Sequence, residues 1–102
     1  MESIKVDFEN LGTINKNVVI IRTELGSVRL YFSYETIVAV DGVVSQNNWS
    51  KTTGKLLNEL QPDKSRRVEH DIVLNEVEKR LKNILFSNKE QIVLALDTEK
   101  GI

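Results

Sequence analysis

The hydrophobic residues of this chain change their period once, near Trp49, and that change limits what it can fold into. Before it, apolar and polar residues alternate. In "SIKVDFE", Ile4, Val6 and Phe8 fall on one side and Lys5, Asp7 and Glu9 on the other, the pattern of a half-buried strand. "NVVIIRTE" and "SVRLYFSY" flank a Leu25-Gly26 turn, and in the second arm Val28, Leu30 and Phe32 oppose Arg29, Tyr31 and Ser33. "TIVAV" and "VVSQ" flank Asp41-Gly42, a hairpin signal because a type I′ turn needs positive φ at both central positions. The first half therefore reads as an antiparallel meander.

From Trp49 onward the spacing is helical. Trp49, Thr53, Leu56, Leu57 and Leu60 form one stripe, with Lys51, Lys55, Asn58 and Glu59 opposite. Ser50 is the N-cap, its hydroxyl placed to accept a first-turn amide. Trp49, one position earlier, is expected to fold inward onto the helix. Pro62 ends the helix, because it disfavours helical geometry at Gln61. A second helix spans roughly 69–86. Its stripe is Val73, Leu74, Val77, Leu81, Ile84 and Leu85, and Glu76–Arg80 and Glu78–Lys82 are i,i+4 pairs on its wet side. "QIVLALD" reads as a last strand returning to the sheet and "TEKGI" as a frayed tail. Strands followed by helices give an α+β class. The expectation is an antiparallel meander of about five strands, two helices packed on one face and a C-terminal strand, in a single domain over 1–102.

Bulk properties exclude several classes. The formal charge is −1, so any attraction for nucleic acid must be local. The chain has no cysteine, which removes disulfides and thiol catalysis and agrees with a cytoplasmic location. The charged, alternating "MESIKVDFEN" does not read as a secretion signal. No apolar run approaches the ~20 residues of a membrane helix, so no membrane association is expected.

The segment closest to a chemical motif is "TTGK", Thr52 to Lys55. A phosphate-binding P-loop is G-x-x-x-x-G-K-[ST]. Here Trp49 stands at the first glycine and Leu56 at the metal-binding hydroxyl, so a capped amphipathic helix explains the segment better. Gly54 still needs a reason, since a helical glycine costs about 1 kcal/mol relative to alanine. Close approach of the Trp49 ring or a strand is one reason; a bare backbone patch for a partner is the other. A pocket near Gly54 is not expected. Trp49, Ser50 and Gly54 are thus read as a structural helix start.

Lys51, Lys55, Lys64, Arg66 and Arg67 fall within 17 residues that hold only Glu59 and Asp63 as acids, a local excess of +3 (five minus two). They form a candidate phosphate contact, although base-stacking aromatics are scarce. His70 is the lone histidine and reads as a surface residue of a helix's first turn, because a metal needs more ligands. Asp7 and Glu9 share a wet strand face with Lys5, where nothing raises a carboxylate pKa. No catalytic set emerges, and neither enzyme activity nor a cofactor is expected. Tyr31 and Arg29 on a strand are typical interface anchors, and a meander leaves edges that can pair with another chain.

"YFSYETIVAV" and "NNWSKTTGKLLNEL" together resemble a small uncharacterised family of bacteriophages and archaeal viruses or their hosts. Its members read approximately F-S-Y-x-T-x-V-A, then W-S-x-T-T-G-K-x-L-N, then a basic stretch and a last helix. Phe32, Ser33, Tyr34, Thr36, Val38, Ala39, Trp49, Ser50, Thr52, Thr53, Gly54, Lys55, Leu57 and Asn58 match. Ile37 stands where that pattern has proline and Leu56 where histidine is frequent. The resemblance covers about residues 30–82 and implies a viral accessory protein in the host cell, with no reaction attached. The resulting expectation is a non-enzymatic protein acting through protein–protein contact as a homodimer, with Tyr31, Tyr34, Lys51, Lys55 and Asn58 as its contact face. The alternative is a nucleic-acid-binding module using Lys51, Lys55, Lys64, Arg66 and Arg67.

Overall fold

A computed structural model describes residues 3–87 of the chain. Strands β1 (Ile4–Asn10), β2 (Lys16–Thr23), β3 (Gly26–Ser33), β4 (Thr36–Val40) and β5 (Val43–Val44) form one antiparallel sheet in chain order. Helix α1 (Lys51–Leu60), a short 3-10 turn (Lys64–Arg66) and helix α2 (His70–Leu85) follow. The α+β class, the five-stranded meander and the two helices agree with the sequence. The expected strand at "QIVLALD" and the tail after it lie outside the described residues.

The turns are tight. Glu24-Leu25 joins β2 to β3, and Gly26 follows at φ +145°, where a Cβ would come within 3.1 Å of Ile84 Cγ2. Tyr34 opens the β3–β4 turn at φ 56°, so it belongs to a loop although the alternation carried the strand through it. In the β4–β5 hairpin Asp41 has φ 49° while Gly42 is not left-handed, so the turn is not the expected type I′. The Asp41 carboxylate explains the difference. It accepts the Arg29 amide at 3.0 Å and Arg80 Nη1 at 2.8 Å, and short polar side chains that bond locally tolerate the left-handed region.

Between β3 and β4 the register runs Leu30↔Val40, Tyr31↔Ala39, then Phe32↔Ile37. Val38 is an extra residue, a bulge, and it turns the same way as Ala39. Two cores result. Val28, Leu30 and Val40 pack with Val73, Val77 and Ile84 of α2. Val38, Ala39 and Val44 pack with Leu56 and Leu57 of α1. A buried hydroxyl pair, Ser33 Oγ to Thr53 Oγ1 at 2.7 Å, ties α1 to β3. The helices therefore cover opposite faces of the sheet, not one. Val28, Leu30 and Phe32 of β3 serve α2 and Tyr31 and Ser33 serve α1, so the face bearing Tyr31 and Ser33 is covered there, while Arg29 on the same face is exposed.

Three burial expectations change. Every residue of β1 is exposed, apolar ones included. Leu74 is 42% exposed, off the α2 stripe kept by Val73 and Val77. Trp49 is 37% exposed and meets His70 edge-on at 5.0 Å between ring centroids. His70 is not simply a surface residue: its Nε2 donates to the Ile37 carbonyl at 2.8 Å. An imidazole held by β4 thus gives the indole an aromatic edge at the helix starts, which competes with core burial.

Arg80 bridges Asp41 and Glu76, at 2.8 and 2.9 Å. Its hydrogen bond holds the Glu76 carboxyl below the usual carboxylate range, and Glu76 in turn raises the guanidinium. A depressed carboxyl adds stability above its unfolded pKa and loses it as pH falls through the folded one. Arg80→Met should lower Tm at pH 7 and have little effect near about pH 2, read by circular-dichroism melts. Leu57 is fully buried; Leu57→Ala should cost about 2–5 kcal/mol, whereas Leu74→Ala should cost under about 1 kcal/mol, both from denaturant titration.

Candidate functional site

Helical spacing places Lys51, Gly54, Lys55 and Asn58 at i, i+3, i+4 and i+7, one stripe along α1. Leu56 and Leu57 hold the other side down. The stripe forms one wall of a cleft of about 510 Å³. Gln46 and Asn47, on the way into α1, line it too, as do Lys64 and Arg67 on the way out. A cleft lined by Gly54 departs from the expectation that no pocket would form there.

The chain builds these walls by local chemistry. Ser50 caps α1, its Oγ accepting Thr53 N at 3.4 Å, as expected from its position. Asn47 folds over the helix start: its Oδ1 accepts Trp49 N at 3.0 Å and its Nδ2 donates to Ser50 O at 3.2 Å. A Cβ on Gly54 would fall 2.9 Å from Asn47 Nδ2. The close approach expected at Gly54 is therefore real, but the neighbour is this carboxamide and neither the indole nor a strand. On the exit side Asp63 caps the 3-10 turn, accepting Ser65 N at 3.0 Å and Ser65 Oγ at 2.6 Å. These bonds hold its carboxyl below the usual range. Val68 then pairs with the end of the sheet through an isolated bridge to Ser45.

Arg67 is 6% exposed. Its Nε donates to Gln61 O at 2.9 Å and its Nη2 to Asn58 Oδ1, so it caps the C-terminal end of α1, where a cation suits the helix dipole. That role occupies two of its three nitrogens. Among the described residues Nη1 has no hydrogen-bond partner, and none of their fully buried side-chain nitrogens lacks one, so Nη1 keeps some exposure.

Eight of the twelve Lys and Arg side chains among the described residues form no ion pair, and four of those eight share this cleft. Arg22, Arg66, Arg80 and Lys82 are each ion-paired with a carboxylate. Lys51, Lys55, Lys64 and Arg67 are not, among the described residues. The neutral residues of the lining are Gln46, Asn47, Gly54 and Asn58, with no carboxylate, imidazole or hydroxyl. The site thus offers hydrogen-bond donors and positive charge. Among the described residues no group of three or more His, Cys, Asp or Glu converges to hold a metal, and no helix is long and apolar enough to cross a membrane.

Of the residues singled out in the sequence, the cleft gathers Lys51, Lys55, Asn58, Lys64 and Arg67. Arg66 is turned to Asp63 at 3.4 Å and does not line the cleft. Tyr31 packs against the cluster beneath α1, and Tyr34 stands exposed in the β3–β4 turn; neither lines the cleft. Gln46 and Asn47 were missed. The signal for Asn47 was present, because Asn two residues before an amide that needs a partner is a turn-forming pattern.

Gly54→Ala gains about 1 kcal/mol of helix propensity and displaces Asn47, so its Tm should stay close to the parent. In an Asn47→Ala background, where nothing crowds the new Cβ, Gly54→Ala should raise stability by about 1 kcal/mol. Thermal melts of the four-protein cycle measure both.

Residues 4–75 match a family described only as being of unknown function (DUF8033). No curated protein and no solved structure matches the chain.

Proposed function

The chain belongs to this family of unknown function, and from its cleft we propose that it is a non-enzymatic module that binds the phosphate backbone of nucleic acid. The observation that carries this reading is the set of four cations around one concavity, none of them ion-paired among the described residues. A burying fold leaves a charge such as Arg67 without a counter-ion at some cost, and an anion in the cleft offsets it. Lysines act as point charges toward phosphate, while an arginine with a free nitrogen adds a directed donor. Three such contacts made together release counter-ions and give binding that is sequence-tolerant. The overall charge of −1 makes the attraction local and short-ranged. The resemblance carried by residues 32–58 supports a viral accessory role for this module in the cytoplasm of a host cell.

The test is fluorescence anisotropy with random-sequence duplex and single-stranded oligonucleotides over a salt series. The expected slope of log K against log salt on duplex is about −3, near −0.9 for each of three or four phosphates. Lys55→Glu and Lys64→Glu should each weaken binding on every sequence and flatten the slope by about 1. Arg66→Glu, outside the cleft, should change little. Binding that ignores salt, or oligonucleotides that do not bind at 50 mM salt, would remove the reading. Pyrophosphate binding by titration calorimetry without any oligonucleotide affinity would reassign the cleft to a small phosphorylated ligand.

A further inference from the structure

The two edges of the sheet are treated differently. At the β5 edge Val68 donates to Val44 O at 2.9 Å and accepts from Gln46 N at 2.7 Å, so that edge is covered. At the other edge β1 pairs only with β2 among the described residues. Its apolar residues are open to solvent: Ile4 is 54% exposed, Val6 62% and Phe8 68%. Val6 and Phe8 lie opposite Ile21 and Val19 of β2, which pack against the core on the α2 side. The apolar surface of β1 therefore continues that core outward. An edge with no partner among the described residues, flanked by apolar side chains, is a surface that proteins leave open only where something binds it.

We infer that β1 pairs antiparallel with β1 of a second copy of this chain, about a two-fold axis through Val6. The occupant follows from the strand's own charge pattern. A two-fold axis perpendicular to the sheet keeps each side chain on its face and sets residue against residue symmetrically about the axis. Centred on Val6, it places Lys5 opposite Asp7 of the second copy, twice, and Ile4 opposite Phe8, twice, with Val6 against Val6. Shifting the centre to Lys5 opposes two lysines. Shifting it to Asp7 opposes two aspartates, and shifting it to Phe8 sets Asp7 against Glu9. Among registers centred on Lys5 to Phe8, the one on Val6 alone avoids like charges face to face, which destabilise a cross-strand pair. Asp7 is already paired with Arg22 of its own chain, so it would sit between two cations. A strand serving a foreign peptide has no need to complement itself. The pairing joins two five-stranded sheets into one of about ten strands and brings the six exposed apolar side chains of the two β1 strands into cross-strand contact. It uses a surface other than the cleft and stands whether or not the cleft binds phosphate.

The chain has no cysteine, so single cysteines report the register. Directly opposed residues have Cα atoms about 4.5–5.5 Å apart, within disulfide reach. Val6→Cys should oxidise almost completely to a covalent dimer. Phe8→Cys should not, because the two copies would stand about 14 Å apart along the strands. In sedimentation velocity the unaltered chain should be dimeric at micromolar concentration. Lys5→Glu should raise the dissociation constant roughly tenfold or more, and Lys5→Glu with Asp7→Lys should restore it. A monomer at every concentration, equal cross-linking of the two cysteine variants, or no rescue by the charge swap would overturn the inference. All these positions are exposed, so the variants keep their fold, checked by circular dichroism.

Discussion

The extra residue in β4 is the constraint on which the rest of the structure depends. In a regular strand of five residues, alternation would give each face two or three side chains. By bulging at Val38, β4 turns Val38 and Ala39 toward α1 while Ile37 and Val40 still reach the core beneath α2. One short strand thus anchors two helices on opposite faces. In regular alternation Ile37 would join Ala39 on the α1 face and Val38 would join Val40 on the α2 face; the bulge exchanges the two. Leu56 and Leu57 of α1 are each worth about 1.5–3 kcal/mol when buried.

Placing the helices on opposite faces forces the chain to cross the sheet edge between them. The crossing runs from Gln61 to Val68 and is fixed by Asp63, which caps the 3-10 turn, by Arg67, which caps α1, and by Val68, which pairs beside β5. The entry into α1 through Gln46 and Asn47 runs past the same edge. Entry and exit therefore flank the outer side of α1, and the cleft lies between them. The cleft is a consequence of topology. Its charge is a consequence of sequence, because the residues that happen to occupy those walls are three lysines and an arginine.

The strands, the helices and the Ser50 cap were readable from periodicity and capping rules, because local interactions dominate them. The helix ion pairs Glu76–Arg80 and Glu78–Lys82 followed from spacing alone. Much of the cleft was legible as well: a cluster of basic residues, with Lys51 and Lys55 on one helix face. Selecting among the cluster was not legible. Arg66 and Arg67 are neighbours of the same type, yet one is held outside by Asp63 and the other inside by Gln61 and Asn58. Those partners depend on where the crossing loop lies.

What the sequence determined by itself is the order and kind of the elements and which side chains share a face, since φ/ψ preferences and periods of 2 and 3.6 act within a few residues. What only the tertiary structure decided is which faces are covered. Ile4, Val6 and Phe8 alternate as well as Val28, Leu30 and Phe32 do, but α2 covers the second set and leaves the first exposed. Trp49 has the spacing of a core residue and stands instead against His70. Alternation states that a face is apolar; burial needs a second element in contact with it, and where α1 and α2 pack decides which faces receive one.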